Sequence, residues 1–184
     1  GKTALLKALY RVNPILPTEA EFHDVEYPRR RWAAYRQRRQ QTPDRAVTTT
    51  WRLEDADTAA MAEALGPDVL ASTKVVVTKG YDNRLRWQVD VDERRIVANL
   101  VRSAKLEGDD LRSLWAVSGV AEMIRTLQGL ESPSPAQAAL LADVQRRFPR
   151  GMLDDQVTAL LGARLPRYLY FAEDHRLPAE GAID

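Results

Sequence analysis

The chain has 184 residues, 45% of them hydrophobic and 29% charged, a composition typical of a globular protein with a core of its own. A formal net charge of +1 predicts no overall attraction to nucleic acid or to a membrane, so any such role must be local. The absence of cysteine excludes disulfides and thiol chemistry and is compatible with the cytoplasmic location that we expect. No apolar run approaches the length of a membrane span, so we expect no membrane partner.

The chain opens with Gly1-Lys2-Thr3, which runs directly into an apolar segment that predicts a buried helix. The apolar residues at helical spacing are Leu5, Leu6, Leu9 and Tyr10. Gly-Lys-Thr at the start of a helix matches the last part of the phosphate-binding loop G-x-x-x-x-G-K-S/T. Glycine lets the backbone approach a phosphate, and the helix N-terminus presents free N–H groups to it. The alternative, which three common residues leave open, is an ordinary helix start.

In the phosphate-loop interpretation, Lys2 contacts the terminal phosphates of ATP, and the Thr3 hydroxyl is a ligand of Mg²⁺. The motif is incomplete, because the chain begins at the second glycine of the loop and has no initiator methionine. We therefore interpret the chain as a piece of a longer polypeptide that begins inside the Walker A loop.

A second segment, residues 29–39, combines arginines with aromatic residues on a helix predicted from about residue 30. The arginines are Arg29, Arg30, Arg31, Arg36, Arg38 and Arg39, and the aromatic residues are Trp32 and Tyr35. Such a mixture suits phosphate backbones and stacked bases, and arginine also binds nucleotide phosphates. Arg29, Arg30 and Arg31 are therefore candidate contacts to nucleic acid or phosphate. The alternative is a surface helix that buries its aromatic residues and solvates its arginines.

The β signals follow. Residues 46–53 are rich in β-branched and aromatic types and predict a strand. A short helix capped by Asp55 or Asp57 is expected to extend to Leu65, where Gly66-Pro67 ends it. Residues 73–79 and 85–91 flank turn residues and predict a hairpin with one solvated face. The acidic residues at 82 and 90–93 have the wrong spacing for a calcium loop and are interpreted as a turn and a helix cap.

The middle of the chain is predicted to be helical. We expect helices at 94–106, at 135–147 and at 152–163, and a longer run at 111–127 that is capped by Asp109 or Asp110. Ser134 is the expected N-cap of the helix at 135–147. Trp87, Leu114 and Trp115 are expected in the core. Residues 167–171 then predict a short buried strand, followed by a polar tail.

This order of elements predicts an α/β fold with a strand hairpin and a helical insertion. Residues 1–93 would form the N-terminal part of an ATPase head, 94–164 the helical insertion, and 165–184 the returning strand and tail of the head. This organisation is typical of a nucleotide-binding half rather than of a self-sufficient fold.

Three segments together resemble bacterial AAA-family ATP-binding proteins of the RecF/SMC-like group, which includes the overcoming-lysogenization-defect (OLD) ATPase-nucleases. They are residues 1–14, Glu26-Tyr27-Pro28-Arg29-Arg30, and Leu165-Pro166-Arg167-Tyr168-Leu169-Tyr170-Phe171. The resemblance implies an ABC-like P-loop head that binds ATP with Mg²⁺ and forms a homodimer around the nucleotide. It implies Gly1, Lys2 and Thr3 as phosphate and Mg²⁺ contacts, and an intact protein whose ATP hydrolysis is coupled to DNA processing or defence.

The chain departs from that family in what it lacks. A Leu-Ser-Gly-Gly type signature is absent, and so is a convincing acidic Walker B strand end, although hydrolysis needs an acid that positions Mg²⁺. The apolar residues 168–171, followed by Glu173 and Asp174, are either a stand-in for Walker B or a strand end with a solvated turn. We assign no catalytic residue and expect this chain alone to hydrolyse ATP poorly or not at all. The rival hypotheses are a nucleic-acid- or protein-binding module that uses residues 29–39, and a purely structural fragment.

Overall fold

The computed structural model describes residues 1–149 and 151–170 and has a mixed α/β architecture. Its described helices are α1 Lys2–Tyr10, α2 Trp32–Arg38, α3 Asp55–Leu65, α4 Glu93–Ala104, α5 Gly108–Arg112, α6 Val120–Gln128, α7 Pro135–Arg147 and α8 Leu153–Gly162. Its described strands are β1 Arg45–Arg52, β2 Leu70–Gly80 and β3 Leu85–Val91. The strands form an antiparallel sheet in the order β1-β2-β3.

The strands predicted at 46–53, 73–79 and 85–91 are confirmed, and so is the hairpin. Threonine and valine fill β1 and β2, because branched side chains suit the pleated surface. In the antiparallel register, the Thr48 and Thr78 hydroxyls lie 3.2 Å apart. The turn after β2 closes through a hydrogen bond from the Asn83 N–H to the Gly80 carbonyl, 3.0 Å long, and Asn83 adopts the left-handed conformation with φ 61°. Asparagine tolerates this conformation better than most residues, which explains why the chain reverses here.

The N-caps of α3 and α4 involve only residues within three positions of the helix start, but the N-cap of α3 was predicted at the wrong residue. Glu54, not Asp55 or Asp57, is the N-cap of α3; Asp57 instead accepts the Glu54 N–H at 3.0 Å. At the other end, Gly66 has φ 100°, a conformation that disfavours any residue with a Cβ. The interpretation of the acidic run at 90–93 as a helix cap is confirmed, because the Asp92 carboxylate accepts the Arg94 N–H at 3.0 Å.

The continuous helix predicted at 111–127 is wrong. The chain forms α5, then an irregular stretch from residue 113 to 119, and then α6, and the N-cap of α5 is Glu107 rather than Asp109 or Asp110. Glu122 accepts the Ser118 N–H at 2.9 Å, so a new helix starts inside the predicted one. Trp115, expected in the core, lies in the irregular stretch and is 74% exposed. Leu114 is buried and Trp87 is half-buried.

The last two helices are confirmed within a residue of their predicted bounds. Ser134 caps α7, since its hydroxyl accepts the Gln137 N–H at 3.2 Å. In turn, the side-chain oxygen of Gln137 accepts the Ser134 N–H at 3.0 Å. Gln137 is buried, and its amide also donates to the Ser113 hydroxyl at 3.2 Å. Helix α7 packs against α4 and α6, and α3 packs against α8.

The prediction of a buried strand at 167–171 is wrong for the residues that the structure describes. Its described residues form a single parallel bridge between Tyr168 and Pro14, with the Ile15 N–H 2.9 Å from the Tyr168 carbonyl. Leu169 is 53% exposed. A bridge of this kind pairs too few residues to make a strand, and it does not belong to the sheet β1-β2-β3. Phe171 and the two acids Glu173 and Asp174 lie outside the described residues.

The residues group into two compact units. Among the described residues, unit 1 comprises residues 1–49, 77–86 and 165–170, and unit 2 comprises residues 50–76, 87–149 and 151–164. Aromatic residues dominate the core of unit 1, whereas leucine, valine and methionine from α3 to α8 fill that of unit 2. The predicted division at residues 93 and 164 stays a prediction.

Candidate functional site

The predicted phosphate site lies at the start of α1. Gly1 is the N-cap, no side chain caps the helix, and the first turn contains no acidic residue. Gly1, Lys2 and Thr3 are all exposed, and a Cβ added at Gly1 would meet nothing within 4 Å. The first N–H groups of a helix have no partner inside it and carry the positive end of its dipole, so this end is open to an anion.

The expectation that α1 is buried is wrong for most of its length. Leu5 is 68% exposed and Leu6 is 53% exposed, and only Tyr10 is buried. The Tyr10 hydroxyl donates to the Glu19 carboxylate at 2.6 Å, and this bond raises the pKa of Tyr10. Only the last turn of α1 therefore packs against the rest of unit 1. The motif residues 1–3, Leu5 and Leu6 are exposed to solvent.

Lys79 fixes the segment that follows α1, and sequence reasoning missed it. Its side chain is 4% exposed, and its Nζ donates to the carbonyls of Arg11 at 2.8 Å and Ala20 at 2.7 Å. Burial lowers the pKa of Lys79 because desolvation disfavours the charged form. The sequence places Lys79 on a strand but carries no signal that its ammonium group lies inside unit 1.

The arginine-rich segment begins with a 3-10 turn, Arg29–Arg31, and continues as α2. The three arginines of the turn are exposed, and none forms an ion pair within residues 1–149 and 151–170. Two arginines at the end of the segment are neutralised: Arg38 pairs with Asp44 at 2.8 Å, and Arg39 pairs with Asp24. Among the described residues, the arginines of this segment without an ion pair are the three of the turn and Arg36 on α2.

The aromatic residues beside these arginines form a core cluster. The rings of Tyr27 and Tyr35 are stacked with centroids 4.2 Å apart, and Tyr81 meets Tyr27 edge-on at 4.9 Å. Tyr35 is 2% exposed, so its faces are not available to a nucleic-acid base, and Trp32 is half-buried. The arrangement agrees with the alternative that α2 covers its aromatic side chains and leaves most of its arginines in solvent.

Asp44 links this cluster to α2. Its carboxylate accepts the Tyr27 hydroxyl at 2.6 Å and an Arg38 N–H at 2.8 Å. The bond from Arg38, followed by the bond from Tyr27, lowers the pKa of Asp44. In the sequence Asp44 is a helix-ending residue after Pro43, and no local pattern indicates these two partners.

The two predicted sites are not joined. In the described part of the chain, no hydrogen bond or ion pair connects residues 1–3 with residues 29–31. A group of three or more histidine, aspartate or glutamate residues that could hold a metal ion is also absent there. The predicted Mg²⁺ ligand Thr3 therefore has no acidic cluster among the described residues to complete a site. None of the described helices combines the length and the apolarity needed to cross a bilayer.

Comparison with known proteins adds no assignment: no family model matches the chain, and neither a curated protein nor a solved structure matches it.

Proposed function

We propose that the chain binds the triphosphate of ATP at the start of α1. Lys2 would contact the terminal phosphates, the free N–H groups after Gly1 would bind phosphate oxygens, and Thr3 would ligate Mg²⁺. The observation that supports this best is the state of the first helical turn, which is exposed, has no capping side chain and contains no acid to repel a phosphate. The motif residues present fit the ligand in charge and in space.

The finer hypothesis is an ABC-like P-loop head of the OLD type, which forms a homodimer around the nucleotide in the cytoplasm. Its support is the Gly1-Lys2-Thr3 sequence, followed by a mixed α/β order with a strand hairpin and a helical block. Coupling of ATP hydrolysis to DNA processing or defence rests on the sequence resemblance alone. The proposal for this chain is therefore ATP binding, without a catalytic step.

The test is titration of the purified chain with a fluorescent ATP analogue in the presence of Mg²⁺. We expect saturable binding that unlabelled ATP displaces and that Lys2→Ala weakens by about tenfold, the worth of one charge-assisted hydrogen bond. Thr3→Ala should weaken binding with Mg²⁺ more than without it. The matched control is Lys7→Ala, which removes the same charge from an exposed site later on α1 and should leave the affinity unchanged.

Two results would contradict the proposal. One is the absence of ATP binding by a chain that circular dichroism shows to be folded. The other is binding that Lys2→Ala and Lys7→Ala weaken equally, because a non-specific attraction to positive charge predicts no difference between these sites.

The second candidate function is nucleic-acid binding, and the exposed, unpaired turn Arg29–Arg31 favours it. Because Tyr35 is buried, binding would involve phosphates rather than stacked bases. The test measures the affinity for a short DNA duplex at several salt concentrations. The plot of log affinity against log salt concentration becomes less steep as contacts to phosphates are lost.

Replacing Arg29, Arg30 and Arg31 with alanine should abolish the salt-sensitive part of this binding, with Lys2→Ala inert. The charge-matched control replaces three exposed arginines of unit 2, Arg112, Arg125 and Arg146, with alanine. Equal loss in both triple variants would show that only net charge matters and would remove this candidate.

A further inference from the structure

Unit 2 contains a groove that neither proposed function uses. It lies between one face of α4 and the irregular stretch after α5, and its volume is about 780 Å³. Its apolar surface includes Val101, Leu111 and Val117. The groove is open to solvent, and residues of the non-helical stretch from 113 to 119 form one of its walls.

The charged residues that line the groove are all basic, and the nearby carboxylate of Glu122 accepts the N–H of the lining residue Ser118 at 2.9 Å. Arg94, Arg102 and Lys105 line it, and no aspartate or glutamate is among its described lining residues. None of the three basic residues forms an ion pair in the part of the chain that the structure describes; Arg102 donates only to the neutral Asn99 side chain at 3.1 Å. Such an unbalanced edge attracts an acidic ligand, although the whole chain carries a net charge of only +1.

Trp115 stands on the same groove and is 74% exposed. A tryptophan contributes a large apolar surface, so its exposure to water is unfavourable in the isolated chain. Tryptophan and arginine are also the residue types that most often dominate the energy of protein interfaces. Trp115 and Arg102 together therefore have the composition of a binding hot spot.

We propose that this groove binds an acidic amphipathic helix of a partner protein. Arg94 and Arg102 lie on α4, and Lys105 is the C-cap residue directly after it, so the three cations line the groove over about 16 Å, the length of three helical turns. A helix of the same length would place apolar side chains at i, i+3, i+4 and i+7 in the groove and acidic residues beside the three cations. Nucleic acid fits less well, since it would bring no aliphatic surface to cover Val101 and Val117.

The experiment selects ligands for the full chain from a displayed library of helical peptides. Apolar residues are fixed at i, i+3, i+4 and i+7, and the other positions are random, so the charge of the selected peptides is an outcome. The best peptide is then synthesised and its affinity measured by fluorescence anisotropy. Arg102→Glu and Trp115→Ala probe the groove, and Arg125→Glu, an exposed arginine of α6 outside it, is the matched control.

We expect the selected peptides to be acidic, and each groove variant to weaken binding by about tenfold while the control leaves it unchanged. All substituted residues are exposed, and circular dichroism of each variant verifies its fold. Failure to enrich any peptide overturns the proposal, as does enrichment of basic peptides or binding that is indifferent to the groove variants. Dodecanoate serves as a small apolar anion: if it binds in a Trp115-dependent manner and no peptide does, the site is one for a small ligand instead.

Discussion

Single charged residues connect distant parts of the sequence within unit 1. The ammonium group of Lys79 joins the end of α1 to residue 20, and the carboxylate of Asp44 joins Tyr27 to α2. A buried charge is tolerated only when hydrogen bonds replace the water that it has lost. Lys79 is buried and meets this condition, and the half-buried Asp44 likewise makes two hydrogen bonds to groups on other segments.

We expect Lys79→Met to destabilise the protein by about 1–3 kcal/mol, because methionine keeps the apolar stem but leaves the carbonyls of the half-buried residues Arg11 and Ala20 without this donor. Urea denaturation followed by circular dichroism measures this change. Lys74→Met, at an exposed position of the same strand, is the control and should change stability little. A Lys79→Met variant as stable as the wild type would mean that the cost of burying the ammonium group outweighs its bonds.

The Asp44 interactions should make stability dependent on pH. The pKa of Asp44 is lower in the folded protein than in the unfolded chain, so the unfolded chain binds a proton more readily. The stabilisation is therefore complete above the unfolded carboxyl pKa of about 3.9 and is lost as the pH falls through the lower, folded value.

Asp44→Asn should accordingly lower the urea midpoint at neutral pH, and its difference from the wild type should shrink in acid. Asp109→Asn removes an exposed surface pair with Arg112 and should lower the midpoint less. A difference for Asp44→Asn that grows on acidification would contradict the assigned direction.

Two of the described helices, α4 and α7, begin at a residue whose side chain accepts backbone N–H groups of the first turn. Asp92 receives the N–H groups of Arg94 and Arg95 at 3.0 and 3.3 Å and so begins α4, which supplies three buried residues to the core of unit 2. Without a cap, these donors would have only water as a partner. The cap thus contributes both to helix formation and to the placement of the groove face of α4.

We expect Asp92→Ala to cost about 1 kcal/mol of stability, the usual worth of an N-cap, and to lower the melting temperature. The matched control is Asp90→Ala, two residues earlier on β3, where the side chain is exposed and caps nothing. Equal effects of the two variants would contradict the capping role. Thermal unfolding by circular dichroism compares them directly.

The elements also show where local sequence information ends. The hairpin at 80–84 and the cap at Ser134 were predicted correctly, because turn and cap chemistry act over a few residues. The break between α5 and α6 was missed, because the apolar spacing of Leu111, Leu114 and Val117 continues through it. The hydrogen bond from the Ser118 N–H to the Glu122 side chain replaces a bond that a continuous helix would make and lies at the start of α6. The spacing of apolar residues does not predict such a side-chain bond.

For the whole molecule, the proposed ATP site consists of residues from one end of one helix. Phosphoryl transfer to water needs, besides phosphate contacts, an acid that positions Mg²⁺ and a group that orients the attacking water, which different parts of a fold supply. The candidate acids Glu173 and Asp174 lie outside the described residues. This limits the functional proposal for the chain to binding.

We therefore expect the purified chain to release no phosphate from ATP above the background of a Lys2→Ala variant, in a coupled phosphate assay with excess Mg²⁺. The reason is that binding and catalysis are separable: contacts to phosphate alone do not orient a water. Turnover that Lys2→Ala removes would refute this expectation and would require a catalytic acid within the chain.

Local sequence patterns were enough to predict the three strands of the sheet, most of the helices, the caps of α4 and α7, and the residue types of the candidate phosphate site, since these depend on neighbours a few positions away. The tertiary structure decided that Leu5 and Leu6 are exposed, that Tyr35 is buried and that Trp115 stands free on a groove. It also decided the partners of Lys79 and Asp44. Burial and ion pairing depend on which segments that are distant in sequence come into contact. Hydrophobic periodicity indicates only that one face of an element is apolar and does not identify the segment that covers it.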